Sequence, residues 1–211
     1  MQVLPFEIRK PYYEALGLMY NEDLDMTWEE YNPSQWDALK AGDRFPLIIG
    51  GERAGKSWVS AAIMLPHIDL LPELRKERFY YPDGRLKYDP KTQRPIAPDF
   101  VLFGPNYAEP RIEFGYIENW LRELDNIQTL SKPQEGPWRL VTKQGVVLAT
   151  WSTDDPGSIR AIDLEGAIAC EAGNMELESI YRLQGRVGAK KGFIIYSGTM
   201  EMAKRWYIQW A

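Results

Sequence analysis

The chain has 211 residues, 45% hydrophobic and 26% charged, with 17 Gly, 15 Pro, a single Cys and a single His. That length accommodates one domain whose core needs no staples. One Cys and one His (His67) exclude an internal disulfide, a Cys/His zinc site and chemistry built on several histidines, while a net charge of −5 excludes a globally basic nucleic-acid coat but leaves local basic patches open.

Residues 1–10 lack the apolar core of a signal peptide, and no run of about 18 apolar residues occurs anywhere, so a soluble intracellular protein is expected, with no membrane partner. Residues 1–31 are mixed polar and aromatic and read as an N-terminal extension. Asn32-Pro33-Ser34-Gln35 then opens a helix: Asn32 can cap it, Pro33 suits its first position, and Gln35 stands where a capping-box partner would. The helix is expected to reach Lys40 and stop near Gly42. Phe45–Ile49 reads as a buried strand, and Lys56–Leu65 as a helix closed by Pro66. The interval 72–99 interleaves prolines with charges and reads as an extended excursion or hairpin.

Phe100–Phe103 is a second buried strand and Ile112–Leu124 an amphipathic helix. Trp138–Val141 and Val146–Trp151 flank Gln144-Gly145 as a hairpin. Ala167–Cys170 and Phe193–Tyr196 are two more apolar strands, with a helix fitting between them. Short apolar strands alternating with helices predict an α/β fold, a mostly parallel sheet covered by helices on both faces.

Gly50-Gly51-Glu52-Arg53-Ala54-Gly55-Lys56-Ser57 fits G-x-x-x-x-G-K-[ST] at every fixed position, with a strand before it and a helix after it. Glycines let the backbone curl so that several N–H groups face one phosphate at the positive end of the helix. Lys56 supplies charge to the β- and γ-phosphates and Ser57 a hydroxyl for Mg²⁺. Arg53 can reach a γ-phosphate, a neighbouring subunit or solvent. The pattern predicts a P-loop NTPase binding ATP and Mg²⁺.

Hydrolysis also needs a carboxylate after a buried strand, to orient the attacking water. Ala167–Cys170 followed by Glu171 fits, with Glu171 as the base and a second group toward the metal. The preceding position, where an Asp ordinarily helps hold Mg²⁺, carries Cys170. A thiol is a poor partner for a hard cation, so Asp163 or Glu165 becomes a candidate to support the metal. Ser197-Gly198-Thr199 ends the next strand, where Thr199 can sense the γ-phosphate.

In this order, Asn32-Pro-Ser-Gln35, the Arg-containing P-loop, Phe103-Gly-Pro-Asn-Tyr107, Ser158-Ile-Arg160, the acidic strand and Ser197-Gly-Thr199 resemble the ATPase domain of the large terminase subunit of tailed bacteriophages. The likeness covers roughly residues 30–200. It implies an ASCE-type P-loop ATPase domain over 32–211, with Gln35 near adenine and Thr199 coupling hydrolysis to movement. It further implies translocation of double-stranded viral DNA into a procapsid in the host cytoplasm, by a homo-oligomeric ring that meets a portal protein and a small terminase subunit. Such rings complete each site with an arginine from the next subunit, for which Arg160 and Arg139 are candidates. Arg182, Arg186, Lys190 and Lys191 can face DNA or solvent.

The sequence departs from the family at Cys170, at Ala161 where Gly usually follows the Arg, and in lacking a C-terminal nuclease domain before Ala211. Two other readings remain open. One is a helicase- or recombinase-like ATPase on the same core. The other is a nucleotide-binding assembly subunit with impaired hydrolysis.

Overall fold

The computed structural model describes residues 3–85, 87–88, 90, 96, 99–154, 163–201 and 203–211. Its elements run α1 (Phe6–Ala15), β1 (Tyr20–Asn21), β2 (Met26–Thr27), α2 (Trp28–Tyr31), α3 (Pro33–Lys40), β3 (Leu47–Ile49), α4 (Lys56–Leu74), α5 (Lys76–Phe79), β4 (Asp99–Gly104), α6 (Arg111–Glu123), β5 (Thr129–Ser131), β6 (Arg139–Val141), β7 (Val147–Ser152), β8 (Gly166–Ala169), α7 (Leu177–Ala189), β9 (Phe193–Gly198) and α8 (Arg205–Trp210).

Seven strands form one sheet in the order β3-β9-β8-β4-β7-β6-β5. The first five are mutually parallel, and β6 and β5 add an antiparallel edge. Strand alternation sorts the core onto two faces. Phe100, Leu102, Ile168, Cys170, Phe193 and Ile195 lie in one apolar cluster with residues of α3, α4 and α6. Val101, Phe103, Ala167, Ala169, Ile194 and Tyr196 lie in a second, with Ile180, Leu183 and Val187 of α7 and Trp206 and Tyr207 of α8. The expected α/β architecture, a mostly parallel sheet between two helical layers, is the one observed.

Pro66 does not close α4. The helix runs through both Pro66 and Pro72 to Leu74. A proline inside a helix costs about 3 kcal/mol in lost bonding and steric clash. Here Ala61 to Ile68 are all buried, and each large apolar side chain so placed returns roughly 1.5–3 kcal/mol. Burial on every side of the helix outweighs the local penalty. The interval 72–99 is accordingly part helix: α4 covers its start and α5 adds a turn, before Lys87 N–H donates to Phe79 O at 2.8 Å and Tyr81 N–H to Arg85 O at 2.8 Å.

Residues 3–31 join the main core. Val3 and Tyr13 pack in the cluster beneath α4. Arg9, fully buried, spends its guanidinium on Leu4 O (2.7 Å), Ala41 O (2.8 Å) and the Tyr13 hydroxyl (3.2 Å), and Tyr13 in turn donates to Ala62 O (3.0 Å). Trp28 stacks on Trp58 at 4.6 Å, and Trp58 meets Trp120 edge-on at 5.8 Å. These rings tie α2, the start of α4 and α6 together immediately beside the Gly-rich loop.

Candidate phosphate-binding site at the strand ends

In a parallel sheet, the loops beyond the carboxyl ends of the strands form the natural crevice for a ligand. Four such ends meet here: Gly50 after β3, Gly104 closing β4, Glu171 after β8 and Thr199 after β9.

The Gly-rich loop turns back on itself through two residues of positive φ, Arg53 (59°) and Gly55 (76°). Ala54 N–H donates to Gly51 O at 3.3 Å, and the first helical bond runs from Val59 N–H to Gly55 O at 3.0 Å. Among the described residues, the amides of Gly55, Lys56 and Ser57 have no carbonyl partner. Unsatisfied donors at the positive end of a 19-residue helix make an anion cradle. Lys56 is 8% exposed and its Nζ donates to Gly51 O at 2.8 Å, so the ammonium lies folded over the loop. Glu52, Arg53 and Ala54 stand exposed at its rim.

Gln35 reaches this loop from α3. Its backbone N–H donates to Asn32 Oδ1 at 3.3 Å, as a capped helix requires, while its side-chain Nε2 donates to Ala54 O at 2.8 Å and not to a capping box. Gln35 Oε1 is buried without a hydrogen-bond partner.

The acidic side is built differently. Cys170 N–H donates to Phe103 O at 2.7 Å, continuing the ladder, and the Cys170 thiol points into the cluster shared with α4 and α6. Burial pushes its pKa well up, and the charges of Glu113 and Glu171 add to that. It is a neutral thiol, whose Sγ donates weakly to Ile168 O at 3.8 Å. The chain then turns sharply, with Glu171 in the left-handed region (φ 49°) and its Oε2 accepting from Thr199 N–H at 3.4 Å. Glu171 and Thr199 thus meet across adjacent strand ends.

Glu165 and Asp163 do not reach this side. Both precede or open β8, a strand's length from Cys170, and Glu165 is paired with Arg78 (2.8 Å) and Lys190 (3.7 Å). The carboxylate that does stand there is Glu113, in the first turn of α6 and 2% exposed. Burial raises its pKa. Hydrogen bonding with the Ser57 and Cys170 side chains draws it back, and the Glu171 charge raises it further. Sequence reasoning passed over Glu113, although an acid sharing the stripe of Phe114, Ile117 and Leu121 was a visible anomaly in an amphipathic helix.

Arg139 lies exposed on β6, separated from the P-loop strand by four others. Arg160, with the rest of Ser158-Ile-Arg160 and Ala161, lies outside the described residues. Arg182 pairs with Glu178 at 2.6 Å and Lys190 with Glu165, so half of the basic cluster near α7 is engaged within the chain.

Among the described residues no group of three or more His, Cys, Asp or Glu is placed to hold a metal. Mg²⁺ needs fewer, since it keeps several waters and takes substrate phosphates alongside one or two protein oxygens. The Ser57 hydroxyl beside a carboxylate whose Oε2 lacks any hydrogen-bond partner fits that donor set. No described helix is long and apolar enough to cross a membrane.

No family model matches the sequence, and no curated protein matches it either. Solved structures do match. The ATPase domain of the large terminase of Thermus phage P74-26 is 14% identical, with a TM-score of 0.60 over 94% of this chain and 72% of that one. The large terminase of bacteriophage HK97 is 14% identical, with a TM-score of 0.51 over 81% of this chain and 31% of that one. A thermophilic bacteriophage large terminase in complex with ADP is 16% identical, with a TM-score of 0.51 over 78% of this chain and 38% of that one. Across most of its length the chain is therefore similar in structure to the ATPase domains of large terminases, and it has their P-loop NTPase fold.

Proposed function

We propose that the chain hydrolyses ATP and uses the hydrolysis to translocate double-stranded DNA, as the motor domain of a phage packaging machine. The observation that carries this reading is the meeting of Lys56, Ser57, Glu113, Glu171 and Thr199 around the four adjacent strand ends. The fold likeness to a terminase ATPase domain, and to a large terminase in complex with ADP, supports the nucleotide half of the reading.

In this reading the loop amides and Lys56 bind the β- and γ-phosphates. Ser57 holds the metal, and Mg²⁺ when bound neutralises charge on the phosphate oxygens. Glu171 orients the attacking water. Because its Oε2 also takes the Thr199 amide, loss of the γ-phosphate is felt directly at the end of β9. Gln35 lends Oε1 to the adenine amine. Arg160 or Arg139 enters a neighbouring subunit's site in a ring. The portal, the small terminase subunit, the procapsid and the host cytoplasm complete the setting that the resemblance implies.

Phosphate release measured across protein concentration, with and without linear duplex DNA, tests the proposal. Turnover stimulated by DNA, with specific activity rising with concentration, is expected. Glu171→Gln should keep ATP binding and lose about 10²–10⁴-fold in turnover; normal turnover in that variant rules out Glu171 as the base. One observation favours a second reading: the buried thiol of Cys170 in the acid position. A flat baseline at every concentration, with intact ATP binding, identifies a nucleotide-binding assembly subunit instead.

A further inference from the structure

The chain keeps three glutamates almost wholly out of water, and it treats one unlike the others. Glu165 is fully buried and paired with Arg78 and Lys190. Glu118, 5% exposed, is clasped by Arg122 (2.8 Å) and Lys132 (2.9 Å). Glu113, 2% exposed, has no ion pair among the described residues, and its Oε2 has no hydrogen-bond partner. A buried carboxylate without a cation is expensive, so such groups take up a proton, are paired, or sit on metals.

Its place in the fold indicates which cation it can serve. Helix α6, which follows β4, packs on α4 and on β4, and β4 lies beside β8 with Phe103 opposite Ala169. That packing brings the Glu113 carboxyl into the neighbourhood of Ser57, at the start of α4, and of Cys170, whose side chain joins the α4–α6 cluster. Cys170 faces this cluster with a side chain too short and too soft to serve a hard cation. One oxygen of Glu171, Oε2, already accepts from the Thr199 amide at 3.4 Å.

We propose that Glu113 is the acidic partner of the divalent cation at the P-loop, so that α6 supplies the oxygen which Cys170 withholds. The proposal rests on the nucleotide-binding reading above and refines it. Two carboxylates then divide the work: Glu113 serves the metal beside Ser57, and Glu171 the water beside Thr199. Magnesium's need for few protein oxygens is met by one hydroxyl and one carboxylate, with phosphate and water filling the remaining positions.

The test uses Mn²⁺ as a spectroscopic probe, its free concentration read by electron paramagnetic resonance in the presence of a non-hydrolysable ATP analogue. Glu113→Gln should weaken Mn²⁺ binding about 10–100-fold and leave affinity for the analogue in EDTA unchanged. Adding Cys170→Asp to Glu113→Gln should recover Mn²⁺ binding. In metal-free buffer the Glu113→Gln protein should melt no lower than the parent, because a buried orphan charge has been removed. Unchanged Mn²⁺ affinity in Glu113→Gln, with Ser57→Ala weakening it, overturns the proposal. So does a lower metal-free melting temperature with equal loss of analogue binding in EDTA, which marks a structural acid. If the parent protein itself binds no analogue, with or without Mn²⁺, the nucleotide reading fails first and the assignment of Glu113 falls with it.

Discussion

The two halves of the candidate site are made from different materials. The phosphate side, residues 50–57, is backbone: amides at a helix start and two residues of positive φ, with one lysine folded over them. The acidic side is two carboxylates and one backbone amide, brought in by α6, β8 and β9 from positions 113, 171 and 199. A backbone cradle depends on a fixed order of glycines along the chain. An acid can arrive from any element that opens on the same crevice, so its address drifts while its chemistry stays.

The sharpest way to separate the halves is to remove one charge from each. Lys56→Ala should abolish both ATP binding and turnover, a loss of roughly 10²–10³-fold or more by comparison with other preorganised electrostatic contacts. Glu171→Gln should spare binding. Calorimetric titration with ATP checks the contrast, and Lys56→Ala binding ATP normally breaks it.

Glycine geometry gives the second test. Gly55 sits at φ 76°, and a β-carbon there would collide with the side-chain amide of Gln35. Gly55→Ala should cost about 1–2 kcal/mol for the backbone alone and weaken nucleotide binding as well, read by denaturant unfolding and ATP titration. The acidic side has a left-handed residue too, Glu171 at φ 49°, but glycine in its place removes the carboxylate. Gly55 is therefore replaceable only at a cost in stability, and Glu171 only at a cost in chemistry.

This difference also explains what the sequence revealed. The P-loop, the strands β3, β4, β8 and β9 and the hairpin of β6 and β7 could be read because apolar runs and turn residues are local signals. Strand β5, Thr129–Ser131, carries no apolar run and is held by pairing with β6. Helix α1 has Pro11 inside and a buried arginine, and forms because Arg9 and Tyr13 find carbonyls on distant segments. The passage of α4 through Pro66 is likewise a tertiary effect. Glu113 went unread for the same reason: its partner Ser57 is 56 residues away in the chain, and only the packing of α6 against α4 joins them.

The phosphate side rests on a helix with an acid-sensitive foundation. His67, on α4, is fully buried; its Nε2 accepts from Leu4 N–H at 3.1 Å and its ring packs on Phe193 at 4.3 Å. Burial, then the charges of Arg9 and Arg75, push its pKa well below the ordinary value of 6.5. The unfolded chain thus binds a proton that the folded chain refuses. This contribution is whole above about pH 6.5 and declines as pH falls below it, by at most about 1.4 kcal/mol per pH unit. Urea unfolding at pH 7 and 5.5 should show His67→Gln less destabilised by acid than the parent. Equal pH dependence in the two proteins removes His67 from the account.

The smallest expected effect bears on where the phosphate side ends. Gln35 braces the loop through its bond to Ala54 O and holds a buried Oε1 with no partner. If bracing were its only task, Gln35→Ala would lose one neutral hydrogen bond, about 0.5–1.5 kcal/mol, and weaken ATP and GTP alike. If Oε1 accepts from the adenine amine, the loss falls on ATP and not on GTP, whose base presents a carbonyl at that position. The ratio of ATP to GTP affinity, measured before and after Gln35→Ala, reads the distinction directly. A shift of a few-fold toward GTP extends the phosphate side from a backbone cradle to a base-reading site. An unchanged ratio leaves Gln35 as a strut, and base choice to residues outside the loop.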